Sequence, residues 1–223
     1  MAELYLVRHG QASFGSDNYD RLSPLGMRQS IRLGEYFAAQ SFTFERVVTG
    51  GLQRHHRTAD GILEGMRANI AREEDPDLNE YDFHALYRLA AEQYPALAVE
   101  REGGFTPFYR GLKRVLRLWS EDAIAGPIPE RWDEFQARIT RARRRIQQSG
   151  WRRALVVSSG GVIAAMTQQA LDAPPQSAID LNLQIYNSSL SRYFFNAQTF
   201  ALGSFNSTPH LRPVEDAELL TYG

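Results

Sequence analysis

Three short apolar segments, Leu4–Val7, Arg46–Thr49 and Ala154–Ser158, each run into glycine or polar residues and then into a helical pattern. This recurrence constrains the fold most, because a strand followed by a crossover helix implies parallel pairing with helices on the sheet faces. The first helix has a clear start. Ser23 is a good N-cap, Pro24 suits the first helical position, and Met27, Ile31, Gly34 and Phe37/Ala38 share one face. A second helix is expected over Gln53–Met66, and a third after Gly160-Gly161 through Leu171, stopped by Pro174-Pro175. The expected fold class is α/β: a three-layer sandwich, its mostly parallel sheet flanked by helices.

The stretch 86–148 breaks this rhythm. It reads as helices over Pro107–Glu121 and Glu130–Gln148, parted by Gly126-Pro127-Ile128-Pro129. It is expected to be a helical cap inserted over the carboxyl edge of the strands, within a single domain spanning 1–223. Tyr109, Trp119, Trp132 and Phe135 read mainly as packing residues of that insertion. Toward the carboxyl end, Leu183–Tyr186, Leu190–Phe195 and Phe200–Phe205 alternate apolar and polar and are expected to be strands, the last two a hairpin.

A net charge of −1 gives no global attraction to nucleic acid or to an anionic membrane, so neither is an expected partner. The basic residues are nearly all arginine, Lys113 being the only lysine. The absence of cysteine excludes disulfides, a thiolate nucleophile and cysteine metal sites. Met1-Ala2-Glu3 leads straight into the first strand without the basic and apolar regions of a leader, and no apolar run is long enough to span a bilayer. The expected location is the cytoplasm.

Chemistry concentrates where the strands end, the edge at which open α/β sheets bind ligands. Arg8-His9-Gly10 follows the first strand, Thr49-Gly50-Gly51 leads to Arg54 after the second, and Ser158-Ser159-Gly160-Gly161 opens a helix after the third. An imidazole can attack or carry protons near neutral pH, a guanidinium grips anions with its planar fork, and a helix N-terminus offers unpaired amides. Gly10 lets backbone approach a ligand closely. If the strands are neighbours, Arg8, His9, Arg54 and the Ser158–Gly161 amides converge on one phosphate-sized site. The acidic segment Asn79-Glu80-Tyr81-Asp82 could supply a carboxylic acid to a departing alkoxide. Taken singly, each residue has a second reading: Arg54 as a solvated helix arginine like Arg57 and Arg67, Glu80 as a cap, Gly160-Gly161 as close packing. Their joint placement at strand ends favours the shared site.

Leu6-Val7-Arg8-His9-Gly10-Gln11, then Leu22-Ser23-Pro24-Leu25-Gly26 with Gln29, resemble the histidine phosphatase superfamily, also called phosphoglycerate mutase-like. So do Leu52-x-Arg54 with Thr58-Ala59, Leu78-Asn79-Glu80, Val156 through Ile163, Asn187-Ser188-Ser189, and Ser204-Phe205-Asn206 through His210-Leu211. The resemblance runs from residue 4 to about 211 and implies phosphomonoester hydrolysis through a phosphohistidine on His9. It implies that Arg8 and Arg54 hold the phosphoryl oxygens, with Ser159 and Gly160 as further phosphate contacts. Glu80 would be the acid–base, with Asp82 the nearby alternative. No metal or organic cofactor is implied.

One departure matters. The family's fourth block normally carries a second histidine at the position of Ser159, and a serine hydroxyl brings no positive charge. Three accounts compete. Ser159 and the glycine amides fill the role; another imidazole, His55, His56 or His84, reaches in; or the chain is a phosphate-ligand-binding pseudoenzyme or regulatory module. Adjacent helix residues point in different directions, which counts against rescue by His55 or His56. An active phosphatase, slow because of Ser159, is the favoured reading.

Ser13 through Asp20 lacks the stretch that follows the first motif in mutases, so hydrolysis is expected over mutase chemistry. The region Asp20–Gly26 resembles small protein-phosphohistidine phosphatases, but a covering insertion argues for a small phosphorylated substrate. Arg101, Arg110, Lys113, Arg114 and Arg117 could meet a second anionic group, or form a solvated helix face, which such runs more often do. A homodimer remains open.

Overall fold

The computed structural model describes residues 1–13, 20–102, 105–212 and 214–222. The chain runs β1 (Ala2–Arg8), α1 (Pro24–Ala39), β2 (Arg46–Thr49), α2 (Gln53–Met66) and β3 (Arg72–Glu74), then α3 (Phe83–Gln93), α4 (Pro95–Glu102), α5 (Phe105–Ser120) and α6 (Trp132–Gln148). It continues through β4 (Arg153–Ser158), α7 (Gly160–Ala170) and α8 (Pro175–Asn182) to the hairpin of β5 (Leu190–Phe195) and β6 (Phe200–Ser207). The six strands form one sheet in the order β3-β2-β4-β1-β5-β6. The first four are parallel, while β5 and β6 pair antiparallel. β4 returns between β2 and β1 in register Leu6↔Val156 and Val48↔Val156, so the carboxyl ends of β1, β2 and β4 lie together at the point where the strand order reverses.

Strand alternation builds the three layers. Tyr5, Val7, Val47, Leu155 and Val157 face α1 and α2, where Leu33, Phe37, Ala59 and Ile62 complete one core. Leu4, Leu6, Val48, Ala154 and Val156 face the other way, toward Ile139, Ala142 and Ile146 of α6 and the apolar run of α7. The buried stripe of α1 is Gly26, Gln29, Ser30, Leu33, Gly34 and Phe37. It is offset from the expected face, because Met27 and Ile31 are only half-buried. Ser23 caps α1 as expected, its Oγ accepting from Gly26 N at 3.0 Å. Among the described residues, no helix is long and apolar enough to cross a membrane.

One expectation changes, and one strand was not foreseen. Leu183–Tyr186 is not a strand. Its amides donate to the end of α8 and to a side chain (Gln184 N to Leu181 O, Ile185 N to Asn182 O, Tyr186 N to Asn206 Oδ1), so none is left for a ladder. β3 is a strand that alternation did not reveal, because Arg72, Glu73 and Glu74 are exposed at the sheet edge, where burial imposes no pattern. Gly10 is required by the protein's own backbone, since a Cβ there would meet Gly26 O at 2.3 Å. Within the stretch 86–148, α3, α4 and α5 pack on one another. By contrast, α6 packs beside α7 as a sheet-flanking helix and touches the short turn Pro76–Leu78.

Candidate active site

A cavity of about 170 Å³ opens at the carboxyl ends of the strands, with Arg8, His9, Arg54, Glu80 and Gly160 in its wall. His9 follows β1 and is 3% exposed, its backbone amide donating to Ser158 O at 2.9 Å. Its Nδ1 lies 2.7 Å from Gly10 O. A carbonyl only accepts, so Nδ1 carries the proton and Nε2 keeps its lone pair. Burial, then the neighbouring Arg54 and Arg8, hold this imidazole well below the usual histidine value. At neutral pH it is uncharged.

Two guanidiniums flank it. Arg8, at the end of β1, donates through Nη1 to Ile185 O and, at 2.6 Å, to Tyr222 O. Arg54 sits in the first turn of α2, 6% exposed, with Nη1 2.8 Å from Asp20 Oδ1. Asp20 also accepts from Gln53 N at 2.8 Å, so it caps a helix whose own N-cap, Leu52, has no capping side chain. That dual role was not read from the sequence, because residue 20 lies far from 53 along the chain.

Glu80 follows the turn Pro76–Leu78. Burial pushes its carboxyl above the usual range, while the Gly161 amide and Arg54 pull it back. Its Oε2 accepts from Gly161 N at 3.0 Å, at the start of α7. A Cβ at 161 would lie 2.3 Å from Glu80 Oε1 and 2.4 Å from the Tyr81 ring, so any side chain there would displace them. The loop before Glu80 is clamped by Arg138 of α6, which donates to Asp77 O at 2.8 Å and Asn79 O at 2.6 Å while gripping Glu130 with a fork. Nothing in the local sequence marked Arg138 among so many arginines. Asp82 is exposed and caps α3 through Ala85 N. Geometry therefore brings Glu80 to the cavity and assigns Asp82 elsewhere.

Ser159 and Gly160 separate. Gly160 lines the cavity, whereas Ser159 is 1% exposed behind it, its Oγ 2.7 Å from His55 Nε2. The ring of His55 lies 5.8 Å from that of His9. His56 points away, toward Thr49 and Glu74, and His84 is exposed on α3. The remaining wall is largely aromatic or aliphatic, including Tyr81, Phe83, Phe108, Tyr109 and Leu112. Tyr109, expected to pack within the insertion, thus faces the cavity, while Trp119 and Phe135 are buried in the core. Lys113 pairs with Asp180 at 2.6 Å and Arg114 with Glu100 at 3.2 Å, and Arg110 and Arg117 are exposed. None of these four lines the cavity. The side chain of Arg101 and the stretch 14–19 lie outside the described residues. Among the described residues, no three acidic or imidazole groups converge as a metal ligand set.

The family model of the histidine phosphatase superfamily (branch 1) matches residues 4–208. The chain belongs to this superfamily. Similar solved structures include a putative alpha-ribazole-5'-P phosphatase from Escherichia coli, with 19% identity, TM-score 0.68, and 93% of this chain and 97% of that one covered. YhfR of Bacillus stearothermophilus has 19% identity and TM-score 0.68, covering 95% and 100%. A mycobacterial glucosyl-3-phosphoglycerate phosphatase has 20% identity and TM-score 0.64, covering 93% and 99%. At these identities they establish the shared fold. No curated protein matches the sequence.

Proposed function

We propose that the protein hydrolyses a phosphomonoester through a phosphohistidine on His9. The observation that carries this reading is the proton arrangement in one cavity: a neutral His9 with its Nε2 lone pair available, two guanidiniums, and a carboxyl biased toward its protonated form. His9 Nε2 attacks phosphorus, Arg8 and Arg54 spread positive charge over the equatorial oxygens, and the ester P–O bond breaks. Glu80 gives its proton to the departing alkoxide. As carboxylate it then takes a proton from water, which attacks the phosphohistidine and releases phosphate.

The alcohol part of the substrate is uncharged and largely apolar. Outside the phosphate end, the described wall holds aromatic and aliphatic side chains and the amide of Asn182, with no further cation for a second anionic group. A wider groove of about 490 Å³ adjoins it, sharing Tyr109, Leu183 and Tyr222, and gives room for an extended alcohol. Ser159 stands where the superfamily's second histidine is expected, so the positive charge at the site comes from the two arginines.

Phosphate release from aryl and alkyl phosphomonoesters, compared with phosphoglycerates and sugar bisphosphates, tests both parts. Release that disappears in His9→Ala and favours uncharged alcohols is expected. Binding without release from any substrate would instead support a phosphate-ligand-binding module, and preference for a bisphosphate would contradict the substrate assignment.

A further inference from the structure

Ser159 occupies the N-cap of α7, where a serine hydroxyl ordinarily accepts from the N–H of the second or third helical residue. Here it makes no capping bond. Its Oγ turns instead to His55 Nε2, 2.7 Å away. His55 is fully buried, and its Nδ1 is packed so closely on Gly50 that a Cβ there would lie 2.5 Å from it. It does not line the cavity. Gly161 N, one of the two amides a capping Ser159 could take, donates to Glu80 Oε2 at 3.0 Å. Gly161 N has one proton, so a capping hydroxyl that took it would displace the Glu80 carboxyl.

We propose that His55 is a positioning residue for the acid–base step: by holding the Ser159 hydroxyl away from the first turn of α7, it reserves the Gly161 amide for Glu80. This rests on the reading of Glu80 as the acid. Burial and the neighbouring Arg54 keep His55 uncharged. A neutral imidazole has one N–H and one lone pair, so it holds the hydroxyl with either ring nitrogen protonated. The arrangement also accounts for a serine at an N-cap that does not cap, and for a carboxylate serving as the cap in its place.

The test is a mutant cycle in kcat and KM, with thermal unfolding recorded for each variant. In His55→Ala the freed hydroxyl competes for Gly161 N, and kcat is expected to fall on the order of ten- to a hundredfold, within the range of a positioned acid–base group. KM changes little, because Arg8 and Arg54 are untouched. The double variant His55→Ala with Ser159→Ala removes the competitor and is expected to be roughly tenfold faster than His55→Ala, a share of the same acid–base contribution. His55→Gln, whose amide reaches the same hydroxyl, is expected to retain most of kcat. A His55 that only fills space would show no gain when Ser159 is also removed. A double variant no faster than His55→Ala, or a His55→Ala enzyme matching wild type, overturns the proposal. His9→Ala run in parallel separates the two claims: equal phosphate release with and without His9 defeats the phosphatase reading itself. A crystal structure of His55→Ala tests the geometry without turnover. Ser159 Oγ bonded to Gly161 N in place of Glu80 is expected, and Glu80 still on Gly161 N overturns the inference.

Discussion

Replacing Arg138 with methionine removes a clamp that reaches the site only through the backbone. Its guanidinium holds Asp77 O and Asn79 O at 2.8 and 2.6 Å and both oxygens of Glu130 at 2.6 and 2.9 Å. The side chains of Arg138 and Glu130 are 11% and 22% exposed, so water can replace little of this on the arginine side. Hydrogen bonds to charged groups contribute about 1.5–3 kcal/mol each, and breaking a buried pair costs about 3–5 kcal/mol. Methionine recovers part of the packing and the Glu130 carboxylate partly rehydrates, which leaves a net loss of about 2–4 kcal/mol. In a protein of this size that corresponds to an unfolding midpoint roughly 5–15 °C lower. The loop it releases leads directly into Glu80, and a displacement near 1 Å at a reacting group can cost about a hundredfold. Urea unfolding and kcat on an aryl phosphate measure the two effects together. A destabilised variant with unchanged kcat would refute the claim that Arg138 positions Glu80, and unchanged stability would refute the clamp.

Gly161→Ala should lower kcat by a hundredfold or more, as loss of a positioned acid–base group does, because the new methyl would sit 2.3 Å from Glu80 Oε1; near-normal turnover counts against the position of Glu80. Stability should fall as pH drops from 7 to 5. Burial holds the imidazoles of His9, His55 and His210 below 6.5, His210 at about 4, so in that window the unfolded chain binds protons that the fold does not. Glu80, raised above 4.5, has the opposite sign but is a single group against three. A urea midpoint that is level or higher at pH 5 contradicts this. Leu112→Lys places a cation on the apolar cavity wall and should lower KM for a phosphoglycerate several-fold, on the order of 1 kcal/mol for a partly exposed pair; no change would mean that the alcohol part lies elsewhere.

The sequence made legible what is local. Ser23-Pro24 starts α1, Gly160 opens α7, and the bounds of α2 and of the hairpin's first strand follow from short-range pattern, while its second strand runs two residues beyond the expected Phe205. Arg8, His9, Arg54 and Gly160 were readable because strand ends in such a sheet converge, and Glu80 as a carboxyl in the acidic segment ahead of the insertion. What escaped depends on distance along the chain. Asp20 reaches α2 from a position 34 residues before Arg54, and Arg138 acts on a turn 61 and 59 residues earlier. The pairing of His55 with Ser159 spans 104 positions. Helical geometry does send His55 and His56 in different directions, as expected. Only the packing of α2 against β4 reveals that His55 is the one turned inward, to Ser159.

The central claim is a covalent intermediate on His9, and trapping it is the most direct test. The enzyme would be mixed with an aryl phosphate, quenched in alkali within milliseconds, digested and sequenced by mass spectrometry. The account predicts a phosphoryl group on the peptide containing His9, labile to acid and absent from His9→Ala. Steady phosphate release from an enzyme that never carries phosphate on His9 would contradict it.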